Sequence, residues 1–307
     1  MARRPPGVRT SARWLAGVAV AVVAVAAIVL AVMALQHVAS RPAATQPEPV
    51  PSFTFGSPAT PDPTATPSAT PVPAPGPAYP RAEERFLSVG SGGMWRGVAG
   101  ECGVTDPLIE RSTDGGQTWT DVTPLYRGIG QLISLDAFAG TEAEAIARMG
   151  DECETEALRT FTQGRFWEPY PEVLAASRYL DPADPAVLVT PRGPIETPCA
   201  DPRSVRSVGP TTALVCEGTA HVLGSDGQWT PLATPDAAAV AISAETILIA
   251  SRAAGCEGLA VTRLSGEGFT DPAALGCAAV DPAAPVALAA SGDTTFVWSG
   301  DSLTRLP

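Results

Sequence analysis

The sequence predicts an all-β domain, a β-propeller of five to seven degenerate blades with six favoured, preceded by one transmembrane helix and a Pro/Thr-rich linker. Three observations lead there. From about residue 81, strand-like runs of four to seven residues alternate with Gly, Asp-Pro and Ser-Gly turns, and long amphipathic helical periods are scarce. That pattern suits a sandwich, a barrel or a propeller, and internal repeats separate the three. A turn followed by an aromatic residue recurs, at Trp119, Trp167, Trp229 and Phe269, spaced 48, 62 and 40 residues apart. The wide middle gap has room for one further degenerate blade.

The chain in order divides into a basic tail (1–13), a membrane helix (14–36), a stalk (37–82) and the propeller (83–307). Arg3, Arg4, Arg9 and Arg13 charge the tail. Trp14 to Leu35 then runs 22 residues without a charge, about 33 Å as a helix and enough to span a hydrocarbon core. Arginines before it and almost no charge after it place the N-terminus inside and everything beyond the helix outside. The alternative is a cleaved signal peptide, with Val38-Ala39-Ser40 as its cleavage site. Residues 41–82 hold 13 prolines and few large apolar side chains, so they form an extended spacer and no core.

The propeller region carries 15 arginines against 30 acids, and the whole chain contains no lysine. Such a surface repels phosphate backbones, which excludes nucleic acid as a partner. Six cysteines, Cys102, Cys153, Cys199, Cys216, Cys256 and Cys277, all fall beyond the membrane helix. An even count outside the membrane reads as disulfides. Metal binding is not expected, because there is no CxxC pair and the histidines are His37 and His221 alone.

Ser112-Thr113-Asp114-Gly115-Gly116-Gln117-Thr118-Trp119 lies between two short strand-like runs. Its glycines tolerate positive φ, and the Asp114 carboxylate folds back onto nearby N–H groups. The stretch, Ser-x-Asp-x-Gly-x-Thr-Trp, resembles the Asp-box of BNR/sialidase-like propellers. Ser112, Asp114, Gly116, Thr118 and Trp119 are then structural, closing a hairpin between the third and fourth strands of a blade. Decayed copies occur at 162–169, 224–231 and 265–272, and another at 299–304, which also aligns with a third strand. The resemblance covers 85–307 and implies that the Asp-Pro turns at Asp181-Pro182 and Asp281-Pro282 join the first two strands of a blade. Laid on such a blade, the cysteines gather on the face opposite the box turn. Neighbours along the chain then favour Cys102–Cys153, Cys199–Cys216 and Cys256–Cys277 among fifteen possible pairings.

No catalytic set is expected. A sialidase needs three arginines for a carboxylate, a Tyr–Glu pair and an Asp. The family's Arg-Ile-Pro motif is missing, and Met94-Trp95-Arg96-Gly97 does not replace it. Arg96, Arg148, Tyr126, Tyr170 and Tyr179 are present but not grouped by the sequence. Glu142/Glu144 and Glu152/Glu154 read as solvated loop charges, and Gly90-Ser91-Gly92-Gly93 as a strand-connecting turn. No cofactor is implied. The expected function is a membrane-tethered binding module for protein, peptide or glycan on its disulfide-braced face. The alternative is a divergent sialidase-like glycoside hydrolase, which would show an arginine cluster in its central pocket.

Overall fold

The computed structural model describes residues 79–307, except residue 244. The expected tail, membrane helix and most of the stalk lie outside the described residues. Among the described residues no helix is long and apolar enough to cross a membrane.

Six antiparallel sheets form a six-bladed β-propeller. Blade 1 is β1 (Arg85–Gly90), β2 (Gly93–Val98), β3 (Leu108–Ser112) and β4 (Thr120–Asp121). Blade 2 is β5 (Ile129–Ala139), β6 (Glu142–Met149), β7 (Glu154–Thr160) and β8 (Glu168–Pro169), followed by a short helix α1, Pro171–Ala176. Blade 3 has three strands, β9 (Tyr179–Leu180), β10 (Val187–Val189) and β11 (Ile195–Glu196). Blade 4 is β12 (Arg203–Val208), β13 (Thr211–Cys216), β14 (Thr219–Leu223) and β15 (Trp229–Pro231). Blade 5 is β16 (Ala237–Ser243), β17 (Thr246–Ser251), β18 (Leu259–Ser265) and β19 (Asp271–Ala278). Blade 6 is β20 (Val286–Ser291), β21 (Thr294–Ser299) and β22 (Ser302–Leu306). Inner strands touch in the cycle β1, β5, β9, β12, β16, β20 and back to β1, so the ring is closed.

The hydrophobic core is not one body. It falls into six clusters, one at each junction between blades. The recurring aromatics explain the arrangement. Trp167 of blade 2 is fully buried and meets Trp95 of blade 1 edge-on, ring centres 5.9 Å apart. Trp229 of blade 4 donates its indole N–H to the Glu196 carbonyl of blade 3 at 2.8 Å. Phe269 of blade 5 joins the blade 4 side chains Val222 and Leu232. Trp119 of blade 1 packs with Phe296, Trp298 and Leu303 of blade 6. Each aromatic therefore staples its blade to the one before it.

Trp119 closes the ring, and among the described residues no strand is exchanged to do so. The Arg96 guanidinium lies 4.3 Å from the Trp119 ring centre and 4.9 Å from that of Trp298. Arg85 covers Trp298 at 4.3 Å and donates to the Gly300 carbonyl at 2.6 Å. Arg305 donates to the Gly115 carbonyl across the seam. Gly116, at φ +88°, leaves the room that Leu303 fills, since a Cβ there would meet Leu303 Cδ2 at 2.2 Å. Gly97 plays the same part at the next junction, where a Cβ would meet Leu132 at 2.4 Å.

The structure bonds Cys102 to Cys153, Cys199 to Cys216 and Cys256 to Cys277. The first links blades 1 and 2 across 51 residues, the others span 17 and 21. Loop-closure entropy assigns about 4 kcal/mol to the first and about 3 kcal/mol to each of the others.

Two expectations need correction. The hairpin at 299–304 joins the second and third strands of blade 6, because β22 pairs with β21 and no fourth strand follows among the described residues. Asp281-Pro282 lies between β19 and β20, in the connection from blade 5 to blade 6, and not inside a blade. Its Asp281 carboxylate accepts the Ala283 N–H at 2.8 Å, and Asp181 accepts that of Ala183 at 2.9 Å. The same local turn thus serves two different connections.

Blade 3 has the smallest sheet, and the junctions on its two sides bury only three residues each. Hydrogen exchange is expected to release Leu180, Leu188 and Val189 amides well before those of β17, which has partners on both sides. Equal protection would contradict the blade-by-blade core. Trp119→Ala is expected to cost about 3–5 kcal/mol in denaturant unfolding. A loss below about 1 kcal/mol would show that the seam is held elsewhere.

Candidate functional site

The propeller has two unlike faces. Outside blade 3, whose β9 runs the opposite way, the turns joining first to second strands and third to fourth strands share one face. The remaining loops share the other, with the six cysteines in them or at the strand ends beside them. At the disulfide face the channel is closed by the chain itself. Tyr79 is buried, and Arg81–Glu83 make a single 3-10 turn that leads to Glu84. Glu84 accepts the Ser204 N–H at 2.7 Å and the Arg81 guanidinium at 3.3 Å. Arg81 also donates to Asp201 and to the Pro202 carbonyl. Glu84 precedes blade 1, whereas Asp201, Pro202 and Ser204 begin blade 4, opposite it in the ring. Residues 79–84 are therefore a strap across the channel, and packing begins ahead of residue 83. Ser204 adopts φ 52°, and its hydroxyl accepts the Val240 N–H at 3.0 Å. Burial, with Glu84 nearby, raises the Tyr79 phenol above its ordinary range.

The other face is open. There the lumen holds a cavity of about 360 Å³ lined by Ser88, Asp136, Glu144, Arg206 and Ser207 on one side and by Ile242, Ala289 and Ala290 on the other. It narrows to about 220 Å³ beside Phe86, Ser134 and Arg178, then to about 60 Å³ against the strap. Blade 3 shapes this interior. After β8 the chain turns into α1, whose Val173 packs with Ile146 and Ala157 of blade 2. β9 consequently starts from the open face and runs against the other five inner strands. Arg178, just before it, donates to the Pro210 carbonyl and to Thr212 in blade 4's first turn. Asp181, just after it, lies in the narrow end with Arg81.

Asp136 and Glu144 sit directly opposite each other on β5 and β6, which brings their side chains to one face of the pair. Among the described residues no group hydrogen-bonds the Asp136 carboxylate. Protein surrounds it, although it keeps a small exposure to the lumen. Burial raises its pKa to about 6; Arg206 opposes the shift and Glu144 adds to it. Glu144 is held by Arg159, whose Nε and Nη2 both donate to Oε2, at 2.9 and 2.7 Å. Arg206 donates to the Val205 carbonyl at 2.7 Å and the Arg85 carbonyl at 2.8 Å, with Phe86 under its plane at 5.1 Å. Burial lowers its pKa, against the pull of Glu84 and Asp136.

An aromatic group rims the mouth. Arg159 lies 4.8 Å from the Phe138 ring and 5.6 Å from Tyr170. Phe161 packs edge-on against Phe138 at 5.7 Å and tilted against Tyr170 at 5.9 Å. Phe138 is 39% exposed, Phe161 51%, and Val208 across the lumen 46%.

The residues singled out from sequence lie elsewhere. Ser112 donates to Asp114 Oδ1 at 2.8 Å and accepts the Gly116 N–H at 2.8 Å. Asp114 accepts Thr118 N–H at 2.9 Å and Thr118 Oγ1 at 2.6 Å, while Trp119 donates to the Gly116 carbonyl at 3.1 Å. These bonds, the Thr118 hydroxyl foremost, hold the Asp114 carboxyl below the usual carboxylate range. The turn is on the open face but outside the lumen lining. Blade 2 repeats the scheme with Thr160 accepting Gly164 N–H at 2.9 Å and Thr162 accepting Phe166 N–H at 2.9 Å. Blades 4 and 5 close their turns differently.

Arg96 is bonded to Glu110 at 2.6 Å and serves the seam, and Arg148 donates to the Cys153 carbonyl at 3.0 Å. His221 is half-buried in β14, where burial lowers its pKa. Glu142 and Glu144 are strand residues of β6, not loop charges, because β6 starts immediately after the turn at 140–141. The lumen arginines Arg81, Arg178 and Arg206 sit at different depths, each bonded to carbonyls or acids. They do not converge on one carboxylate position. Among the described residues no group of His, Cys, Asp and Glu is arranged to hold a metal.

Fold and site define a six-bladed propeller with a channel closed at one end and an acidic, aromatic-rimmed mouth at the other. No protein-family model matches the sequence, and no curated protein matches it. Solved propellers are similar to it in architecture. A structure of YCF48 bound to D1 peptide is 15% identical over 72% of this chain and 75% of that chain, TM-score 0.40. A GH43_1 enzyme from Xanthomonas citri complexed with xylose is 12% identical over 73% and 83%, TM-score 0.36. The Hadza microbial sialidase Hz136 is 11% identical over 69% and 49%, TM-score 0.35. The likeness is one of chain architecture and goes no further.

Asp136 sets a pH dependence. Its folded pKa lies above the unfolded value of about 4. Its contribution to stability is therefore full below pH 4 and is lost as pH rises through about 6. Asp136→Asn is expected to be more stable than wild type at pH 7.5 by about 1–3 kcal/mol and equal to it below pH 4. Equal denaturant midpoints at pH 7.5 would show that the lumen solvates this carboxylate as bulk water does.

Proposed function

We propose that this chain is a divergent Asp-box propeller that acts without catalysis, as a binding module for a protein or peptide segment. In this reading residues 14–36 anchor it in the cell membrane and the stalk holds the propeller outside. The ligand meets the open mouth rather than the disulfide face, because the strap Tyr79–Glu84 already fills the centre of that face. The observation that carries the reading is the mouth itself. Exposed Phe138 and Val208 line the cavity that holds the Asp136 carboxylate, which no described group bonds, and exposed Phe161 packs edge-on against Phe138. Partly exposed aromatics around a recessed polar group are the composition of a recognition surface.

A second reading, glycoside hydrolysis, draws on one feature. Asp136 and Glu144 are neighbouring carboxyls with Asp136 raised to about 6, and paired carboxyls of unlike pKa are how such enzymes divide acid and base roles. The scattered, engaged arginines count against the sialidase form of it.

Screening full-length protein in detergent against a random peptide library tests the first reading. Enriched peptides are expected to lose about tenfold or more in affinity for the double variant Phe138→Ser, Phe161→Ser. They should bind Glu217→Arg, on the disulfide face, as they bind wild type. Loss at Glu217→Arg alone would return the site to the disulfide face. Hydrolysis of aryl glycosides that Asp136→Asn abolishes would establish the second reading. Protease added to intact cells is expected to remove the propeller; its protection would refute the external placement.

A further inference from the structure

We infer that the lumen is a subsite for one cationic side chain of a bound peptide, a lysine or arginine inserted through the open mouth towards Asp136. This rests on the reading of the mouth as a peptide site and deepens it.

The geometry has four parts. First, the Asp136 carboxylate has no hydrogen-bond partner among the described residues, although it sits inside the ring. A carboxylate drawn partly out of water without protein donors is costly unless lumen water or a ligand supplies them. Second, its neighbours leave it a cation's position. Glu144 faces it from β6 and has one oxygen, Oε2, taken by Arg159. Ser88 on β1 has its hydroxyl oxygen occupied by the Ala137 N–H at 2.9 Å. Arg206 on β12 is the other charge facing Asp136, and two backbone carbonyls fix it in place. It forms no ion pair with Asp136.

Third, the opposite wall is aliphatic: Ile242, Ala289 and Ala290, from blades 5 and 6. A side chain with a methylene stem and a charged tip matches a cavity with one apolar wall and one acidic wall. A hydroxyl-rich ligand would leave the apolar wall unused, and an anion would face both carboxylates. Fourth, the domain's 30 acids against 15 arginines favour a basic partner at long range. The raised pKa of Asp136 agrees with this placement, since an arriving ammonium would lower it again by stabilising the carboxylate.

The test uses full-length protein in detergent and three acetylated, amidated pentapeptides with lysine, norleucine or glutamate at the centre of four alanines. Norleucine keeps the stem and removes the charge. Calorimetric titration at pH 7.5 is expected to show the lysine peptide binding about tenfold or more tighter than the norleucine peptide, with the glutamate peptide weakest. Asp136→Asn is expected to abolish the lysine preference and leave norleucine binding unchanged, with a melting temperature no lower than wild type. In wild type the preference should fall as pH drops through about 6, as Asp136 takes up its proton. Equal affinity for lysine and norleucine peptides, or a preference that survives Asp136→Asn, overturns the subsite while the mouth remains a peptide site. If no peptide binds at millimolar concentration, the subsite falls, whereas the library screen with Phe138→Ser, Phe161→Ser decides the mouth separately.

Discussion

The contact on which the fold depends is the one each blade makes with the blade before it. A four-stranded sheet of this size buries little on its own, and the core here consists of six wedges between sheets. Large aromatic rings fill most of those wedges, because one ring removes more apolar area from water than any aliphatic side chain. Position matters as much as size. The aromatic follows the turn between third and fourth strands, at the blade's rim, where it reaches sideways rather than inward. A residue that looks like part of its own hairpin is therefore the residue that holds two hairpins together. At the seam between blades 6 and 1 the same device must close the ring without a shared strand. Two arginines stacked with Trp119 and Trp298 reinforce it there.

Where the device is weak, as in blade 3, the repeat itself gives way. This blade has three short strands, and Trp229 of blade 4 packs only part-buried on the small cluster there, with one hydrogen bond to Glu196. The inner position that its first strand would occupy is given over to α1 and the segment leading to β9. The lumen widens on that side, so a departure from the repeat and the shape of the cavity have the same origin. The strap Tyr79–Glu84 acts in the opposite sense. It ties blade 1 to blade 4 through Glu84 and Ser204, and closes the channel where the disulfides already brace the loops. One face is made rigid and blind, the other is left open.

The all-β architecture and the blade number were legible because strand length, turn residues and the aromatic spacing are local properties. Disulfide use was legible for the same kind of reason: six cysteines beyond an apolar run. The candidate site was not. Asp136 lies within an 11-residue strand whose neighbours, Leu135 and Ala137, give no hint of enclosure. Its environment comes from Arg206, far along the chain in blade 4, and from the aliphatic wall of blades 5 and 6. Glu142 and Glu144 looked like loop charges; in β6 both lie on one face of the strand, with Ala143 and Ala145 buried on the other. The Asp-Pro turns misled in a different way. Their hydrogen bonds are local and repeat faithfully, but a local turn does not specify which two strands it connects.

Asp136 and Asp114 are opposite cases of a carboxylate in this fold. Asp114 is at the surface, yet four donors from its own turn hold it ionised, and its pKa is lowered in the direction that stabilises the fold at neutral pH. Asp136 is enclosed, has no such donors, and its pKa moves the other way, so its ionised form works against the fold at neutral pH. Asparagine at 136 would occupy nearly the same volume without that penalty. The surrounding structure supplies no hydrogen bond to relieve it: Arg206 is turned onto carbonyls and Arg159 onto Glu144. Asp136 therefore lines the open lumen with its hydrogen-bonding capacity unused by the described residues.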